Sequence, residues 1–386
     1  MTIKRADRMQ LIQPFHVMAL LARARELEAG GRSVIHMEIG EPDFVTPQPV
    51  IDAGIRALQE GCTHYTPAVG LQALRERIAE FYRQRYGVAV EPRRVVITPG
   101  ASAALQLAMA VLVNPGDRVL MADPGYPCNR NFVYLLNGQP QGIPVTSASA
   151  YQPTPQQVRE HWTAAVTALL VASPSNPTGT LLGEAVLSEF HAIAAAQGGS
   201  LIVDEIYHGL VYGDQATTAL DISDEIFVVY SFSKYFGMTG WRLGWLIAPE
   251  AYVPDIDKLA QNLFLAAPTV AQHAALVAFD EENISILESR RREFRQRRDY
   301  LLPALRDLGF EIPVVPEGAF YLYANCSRFT DDSYRFASRL LEKAGVAITP
   351  GIDFGVNRPE THVRFAYTTS LENLQEGVQR LRAYLS

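Results

Sequence analysis

The sequence predicts an α/β fold: a mainly parallel sheet covered by helices, followed by a smaller α+β domain. Three observations lead there. Short apolar runs alternate with amphipathic helical stretches through most of the chain, the pattern of a sheet buried on both faces. From about Glu282 the pattern changes to a long charged helix followed by mixed strands and helices. The 386 residues, 48% of them hydrophobic, exceed what one small core requires.

In chain order, an opening helix over Pro14–Ala29 and a strand over Ile35–Ile39 are expected to pack with the C-terminal part. Strands are expected at Val95–Thr98, Arg118–Met121, Ala168–Ala172, Leu201–Asp204, Phe227–Tyr230 and Leu243–Ile247, where apolar residues run together. Helices are expected at Leu71–Tyr86, Ser102–Val113, Ala185–Gln197 and Glu250–Leu263. The last part reads as a strand at Phe320–Tyr323, a helix near Ser333–Ala344, a strand at His362–Ala366 and a helix from Leu371. The division expected is a segment 1–45 packing with the small domain, a large domain 46–281 and a small domain 282–386.

Charge excludes one class of partner. A net charge of -7 and a pI near 5.7 argue against nucleic acid, which needs a basic face. The one basic cluster, Arg290, Arg291, Arg292, Arg295, Arg297 and Arg298, is interleaved with acids on a helix-like stretch and reads as a solvated face. Cys62, Cys128 and Cys326 are odd in number and far apart, so neither a disulfide framework nor a metal set follows from them. No apolar run approaches the roughly 18 residues of a membrane span, and the N-terminus has no apolar signal core. A cytoplasmic location is the expectation.

Lysine is scarce: four against thirty arginines. Lys4, Lys258 and Lys343 have ordinary surroundings. Lys234 follows the apolar run Ile226–Tyr230, within Ser231-Phe232-Ser233-Lys234. A lysine at the end of a buried strand is desolvated, which lowers its pKa and frees the amine as a nucleophile. Taken alone it still reads first as a surface lysine. Gly240-Trp241-Arg242-Leu243-Gly244 follows within ten residues.

With that continuation the segment resembles the cofactor-lysine signature of class I/II aminotransferases, the pyridoxal-phosphate enzymes of fold type I, and within them the bacterial aspartate aminotransferase-like subgroup. The resemblance implies a seven-stranded-type sheet in the large domain and pyridoxal 5'-phosphate joined to Lys234 as a Schiff base. It implies that Arg242, Ser231 and Ser233 serve the phosphate end, where a guanidinium offers a planar fork to a dianion. Other motifs agree in family order. Thr98-Pro99-Gly100-Ala101-Ser102 resembles the phosphate cup, a glycine turn opening a helix. Tyr126 matches the ring that stacks on the cofactor. Asn176, in Asn176-Pro177-Thr178-Gly179, matches the residue that hydrogen-bonds the cofactor's 3'-oxygen, with Tyr207. Asp204 matches the aspartate on the pyridinium nitrogen. Gly40 and Arg364 match the substrate-carboxylate site, and Tyr65 the tyrosine that reaches the phosphate of a neighbouring subunit. No metal is implied.

The resemblance implies a ping-pong transfer of an amino group from an L-amino acid to a 2-oxo acid, with Lys234 moving the proton. It implies a homodimer with active sites at the subunit interface. A carbon–sulfur lyase or an α-oxoamine synthase of the same fold shares the cofactor residues, although Asn176–Gly179 and Arg364 fit aminotransferases better. Ser102 stands where aspartate-specific members carry a lysine, which argues against aspartate. Arg130 reads first as a surface arginine and second as a substitute cation.

Overall fold

The computed structural model describes residues 3–213 and 216–386. The apolar runs of the middle of the chain fold into one seven-stranded sheet. With β1 at Ile35–Met37, the strands of this sheet are β2 (Val95–Thr98), β3 (Arg118–Asp123), β4 (Gln139–Pro144), β5 (Val166–Ala172), β6 (Ser200–Asp204), β7 (Phe227–Ser231) and β8 (Gly244–Ile247). Their order is β2-β8-β7-β6-β5-β3-β4. Neighbours are parallel except around β8, which runs antiparallel to β2 and β7.

Every residue of β2, β7 and β8 is buried, so both faces of the sheet are covered. Strand alternation divides these residues between two cores. Val96, Leu246, Val229, Ile202 and Leu170 pack with the helix Ala101–Leu112 on one face. Ile97, Trp245, Tyr230, Val203 and Leu169 join the core on the other.

A second sheet holds the C-terminal strands β9 (Tyr321–Asn325), β10 (Val346–Pro350) and β11 (His362–Ala366). Its order is β1-β10-β11-β9, with β1 parallel to β10 and the other pairs antiparallel. The N-terminal strand therefore lies beside the C-terminal ones, as the sequence implied. No helix among the described residues is long and apolar enough to cross a membrane.

Several expectations need correction. β4 and β10 were not anticipated. β4 reads Gln-Pro-Gln-Gly-Ile-Pro, with almost no apolar signal, and it forms because an edge strand tolerates proline. Strand β1 ends at Met37, and the expected helix Glu250–Leu263 opens as a 3-10 turn and becomes α-helical from Val253.

The arginine cluster is not a wholly solvated face. Arg297 is 2% exposed and forks onto Asp43 at 2.7 and 3.0 Å, with Glu293 at 2.6 Å. Its guanidinium lies over the rings of Phe44 and Phe294. Arg291 and Arg298 donate to the carbonyls of Val211 and Pro316. Only Arg292 and Arg295 of the six are exposed. The cluster thus ties the helix Glu281–Asp307 to loops far away in sequence. Asp43, the partner that buries Arg297, is 254 residues distant, so local charge pattern carried no sign of it.

Candidate active site

In an open α/β sheet, ligands bind beyond the carboxyl ends of the strands. Asp204 ends β6, the Asn176 loop follows β5, and the turn bearing Lys234 follows β7. The glycine turn after β2 opens the helix Ala101–Leu112 at the same edge. These residues meet Arg364 of β11 around a cavity of about 220 Å³. Lys234, Asp204, Tyr207, Asn176 and Tyr126 line it, together with Ala101, Ser102, Gly40 and Arg364.

Lys234 Nζ donates to the Gly40 carbonyl at 2.6 Å. Burial pulls its amine down to about 8, with the Arg364 and Arg242 charges adding to the effect and Glu41 and Asp204 opposing it. Acylation of Lys234 in the cofactor-free protein is therefore expected to rise with pH through about 8, the neutral amine being the nucleophile. Mass spectrometry of the modified peptide reads this directly. A midpoint at the ordinary lysine value near 10.5 would contradict the burial argument.

Asp204 is 5% exposed, and its Oδ1 accepts from the Ile206 N–H at 3.1 Å. Burial pushes the carboxyl up to about 6, against the opposing pull of that hydrogen bond and of Lys234. Such a group gains most from a cation placed opposite it. A protonated ring nitrogen has that chemistry.

Arg364 is buried, and no carboxylate among the described residues pairs with it. Its Nη1 donates to Asn176 Oδ1 at 2.9 Å, and its Nη2 to the Glu38 carbonyl at 2.6 Å and Thr349 Oγ1 at 3.1 Å. Its Nε is buried without a partner. A guanidinium whose carbon lies 4.2 Å from the Tyr321 ring centre, with one donor unspent among the described residues, is a ready anion site.

At the glycine turn, Gly100 has φ +79°, and a Cβ there would lie 2.6 Å from Arg242 Nη2. Only glycine lets the guanidinium sit on the turn. The helix N-terminus and Arg242 together make a cradle suited to phosphate. Arg242 itself is held by a bond from Nη1 to the Thr239 carbonyl.

Not every residue named from sequence reaches the cavity. The Ser231 hydroxyl donates to the Leu243 carbonyl at 3.3 Å and accepts from the Ser233 N–H at 3.0 Å, so its bonds hold the turn. Gly100, Ser231, Ser233 and Arg242 stand behind the lining rather than in it. Tyr65 is 82% exposed and lies away from the cavity of its own chain. Arg130 lines an adjoining cavity and donates to the Asp353 carbonyl at 2.7 Å.

Several lining residues were missed. Tyr321 shares a 2.8 Å hydrogen bond with Tyr207, and its hydroxyl occupies the place a Cβ on Gly40 would take. Its strand was legible, its direction was not. Phe15, Val17 and Met18 carry no local signal, because the contact that brings them here comes from Asp353.

Fold and site together define a class: an α/β enzyme whose lysine amine shares one cavity with a buried carboxylate and a buried guanidinium that no carboxylate of the described residues neutralises. Comparison with known proteins makes this specific. The family model of aminotransferase class I and II matches residues 32–381. The (5-formylfuran-3-yl)methyl phosphate transaminase of Methanocaldococcus jannaschii is 38% identical over 384 residues, 99% of each chain. The valine–pyruvate aminotransferase of Mycobacterium tuberculosis is 38% identical over 376 residues, 97% of each. The crystal structure of an aminotransferase from the same organism superposes with a TM-score of 0.96 at 37% identity, covering 100% of this chain and 99% of that one. The chain belongs to the class I and II aminotransferases and is an enzyme of amino-group transfer.

Proposed function

We propose that the cavity holds pyridoxal 5'-phosphate at Lys234 and that the enzyme passes an amino group from an L-amino acid to a 2-oxo acid in two half-reactions. The observation that carries this is the shared lining of one cavity by Lys234, Asp204 and Arg364. The bound group supplies an aldehyde carbon for the amino nitrogen and an electron-accepting ring.

The chain supplies the rest. Asp204 would face the ring nitrogen and favour its protonated form. Tyr207 and Asn176 would hold the 3'-oxygen, with Tyr126 against the ring. Gly100, Ala101, Ser102, Ser233 and Arg242 would form the phosphate end, with Ser231 serving it through the turn it holds. Arg364, with Asn176 and the Gly40 backbone, holds the substrate carboxylate and so fixes the α-carbon. The Lys234 amine takes the α-proton and returns it on the cofactor side. Tethering at the reacting centre is what makes such a shuttle effective. Burial, which lowers the Lys234 amine, favours the neutral form that a base requires.

The test is a half-reaction. Cofactor-loaded enzyme given an amino acid alone should release one equivalent of the matching oxo acid, and a second oxo acid should reverse the absorbance change. Release of ammonia with a thiol would instead favour the lyase chemistry.

The proposal includes a homodimer, supported by the exposure of Tyr65 and by the prevalence of two-fold dimers. Mixing inactive Lys234→Ala and Tyr65→Ala chains should restore part of the activity, because one hybrid site then has both residues intact. A Tyr65→Ala chain that is impaired alone yet shows no recovery on mixing would count against shared sites. A fully active monomer by sedimentation would refute the dimer outright. The proposal also places the division near residues 45 and 281, along the two sheets, and the enzyme in the cytoplasm, in keeping with its unpaired cysteine spacing.

A further inference from the structure

The cavity lining changes character beside Arg364. The Arg364 guanidinium lies 5.0 Å from the Phe354 ring centre. Next to Phe354, the Asp353 carboxylate takes the N–H groups of His16 at 2.8 Å and Val17 at 2.9 Å. This pins the start of the helix His16–Ala29 against the site. Phe15, Val17 and Met18 thereby become cavity wall, with Ile39 and Leu105 completing an apolar surface.

This wall offers no free cation among the described residues. Among the described residues lining the cavity, the cations are Lys234 and Arg364, which the proposed reaction commits to the cofactor and the α-carboxylate. The remaining carboxylates are Glu38 and Asp353. Glu38 is fully buried against His36 at 2.7 Å. Arg130 belongs to the adjoining cavity. A second carboxylate on a substrate would find no spare cation among the described lining residues, and it would lose its hydration without replacement. A hydrocarbon side chain loses nothing there and buries apolar surface.

We infer that the substrates are amino acids with apolar side chains, branched aliphatic or aromatic, and their 2-oxo acids, and that Phe15, Val17 and Met18 select them. Asp353 is a positioning residue for this wall. The inference rests on Arg364 holding the α-carboxylate as proposed above.

Binding of unreactive acids to the cofactor-loaded enzyme tests it by calorimetry. 4-Methylpentanoate and 3-phenylpropanoate carry the apolar chain, and butanedioate carries a second carboxylate. Apolar acids are expected to bind at least about 100-fold more tightly, the upper range of discrimination by an apolar pocket. The half-reaction with leucine or phenylalanine should exceed that with aspartate or glutamate by a similar factor in kcat/KM.

The double change Phe15→Ala with Met18→Ala should weaken the apolar acids about tenfold or more and leave butanedioate unaffected. Val17→Thr, close in shape and keeping the N–H to Asp353, should act in the same direction by a few-fold if the double variant does not fold. Butanedioate binding as tightly as the apolar acids, or unchanged apolar affinity in both variants, overturns the inference. Acidic amino acids accepted and apolar ones refused would overturn it alone and leave transamination standing. No reaction with either kind would overturn both.

Discussion

Lys234→Ala is expected to lower kcat at least about 10⁴-fold, because one change removes both the anchor and the proton carrier. A positioned general acid–base group is worth about 10²–10⁴, and its tethering adds an advantage equivalent to high effective molarity. The measurement is a single-turnover half-reaction with saturating pyridoxal phosphate, so that weakened cofactor binding does not masquerade as lost chemistry. A small exogenous amine should restore part of the rate, since it supplies a base without the tether. A variant within tenfold of wild type would remove Lys234 from the reaction. The cavity offers no second amine among its described lining residues.

Asp204→Asn is expected to cost about 10²–10⁴ in the half-reaction. Removing one partner of a buried charge pair costs about 3–5 kcal/mol, and each 1.36 kcal/mol is about a factor of ten in rate. The amide is close in shape and retains an oxygen for the Ile206 N–H, so the fold should survive. Cofactor content and half-reaction rate are measured on the same sample. Near-wild-type turnover with a full complement of cofactor would mean that Asp204 does not hold the ring nitrogen charged. Its burial makes the expectation specific. A carboxyl that burial raises to about 6 gains from a cation placed against it.

These two residues were legible through the motifs around them: Asp204 closes an apolar run, and Lys234 stands in Ser231-Phe232-Ser233-Lys234 with Gly240-Trp241-Arg242 close behind. An acid at the end of a buried strand lies at the edge where an open α/β sheet binds its ligands. Arg364 was legible through the resemblance alone, as the arginine of Val363-Arg364-Phe365-Ala366. Long-range contacts left no such trace. Tyr321 meets Tyr207 across 114 residues, and Asp353 reaches His16 across 337. The N-terminal wall therefore looked like an ordinary amphipathic helix start. The same blindness applied to Arg297, whose run of charged neighbours implied solvent while Asp43 and Phe44 were burying it. β4 was hidden by its own composition. With two prolines and a glycine in six residues it passes for a loop until β3 pairs with it.

Ser102 and Ser231 stand differently toward the cavity. Ser102 lines the cavity, but the Ser231 hydroxyl is spent on the backbone of its own turn. A serine in the right place in a motif can serve the site by shaping the turn that presents its neighbours.

The attachment of the cofactor to Lys234 is tested most directly by borohydride reduction of the wild-type holoenzyme, followed by digestion and mass spectrometry. One pyridoxyl group per chain is expected, on the peptide containing Lys234 alone. A label on Lys4, Lys258 or Lys343 instead, or no covalent label on an enzyme that still turns over, would contradict it.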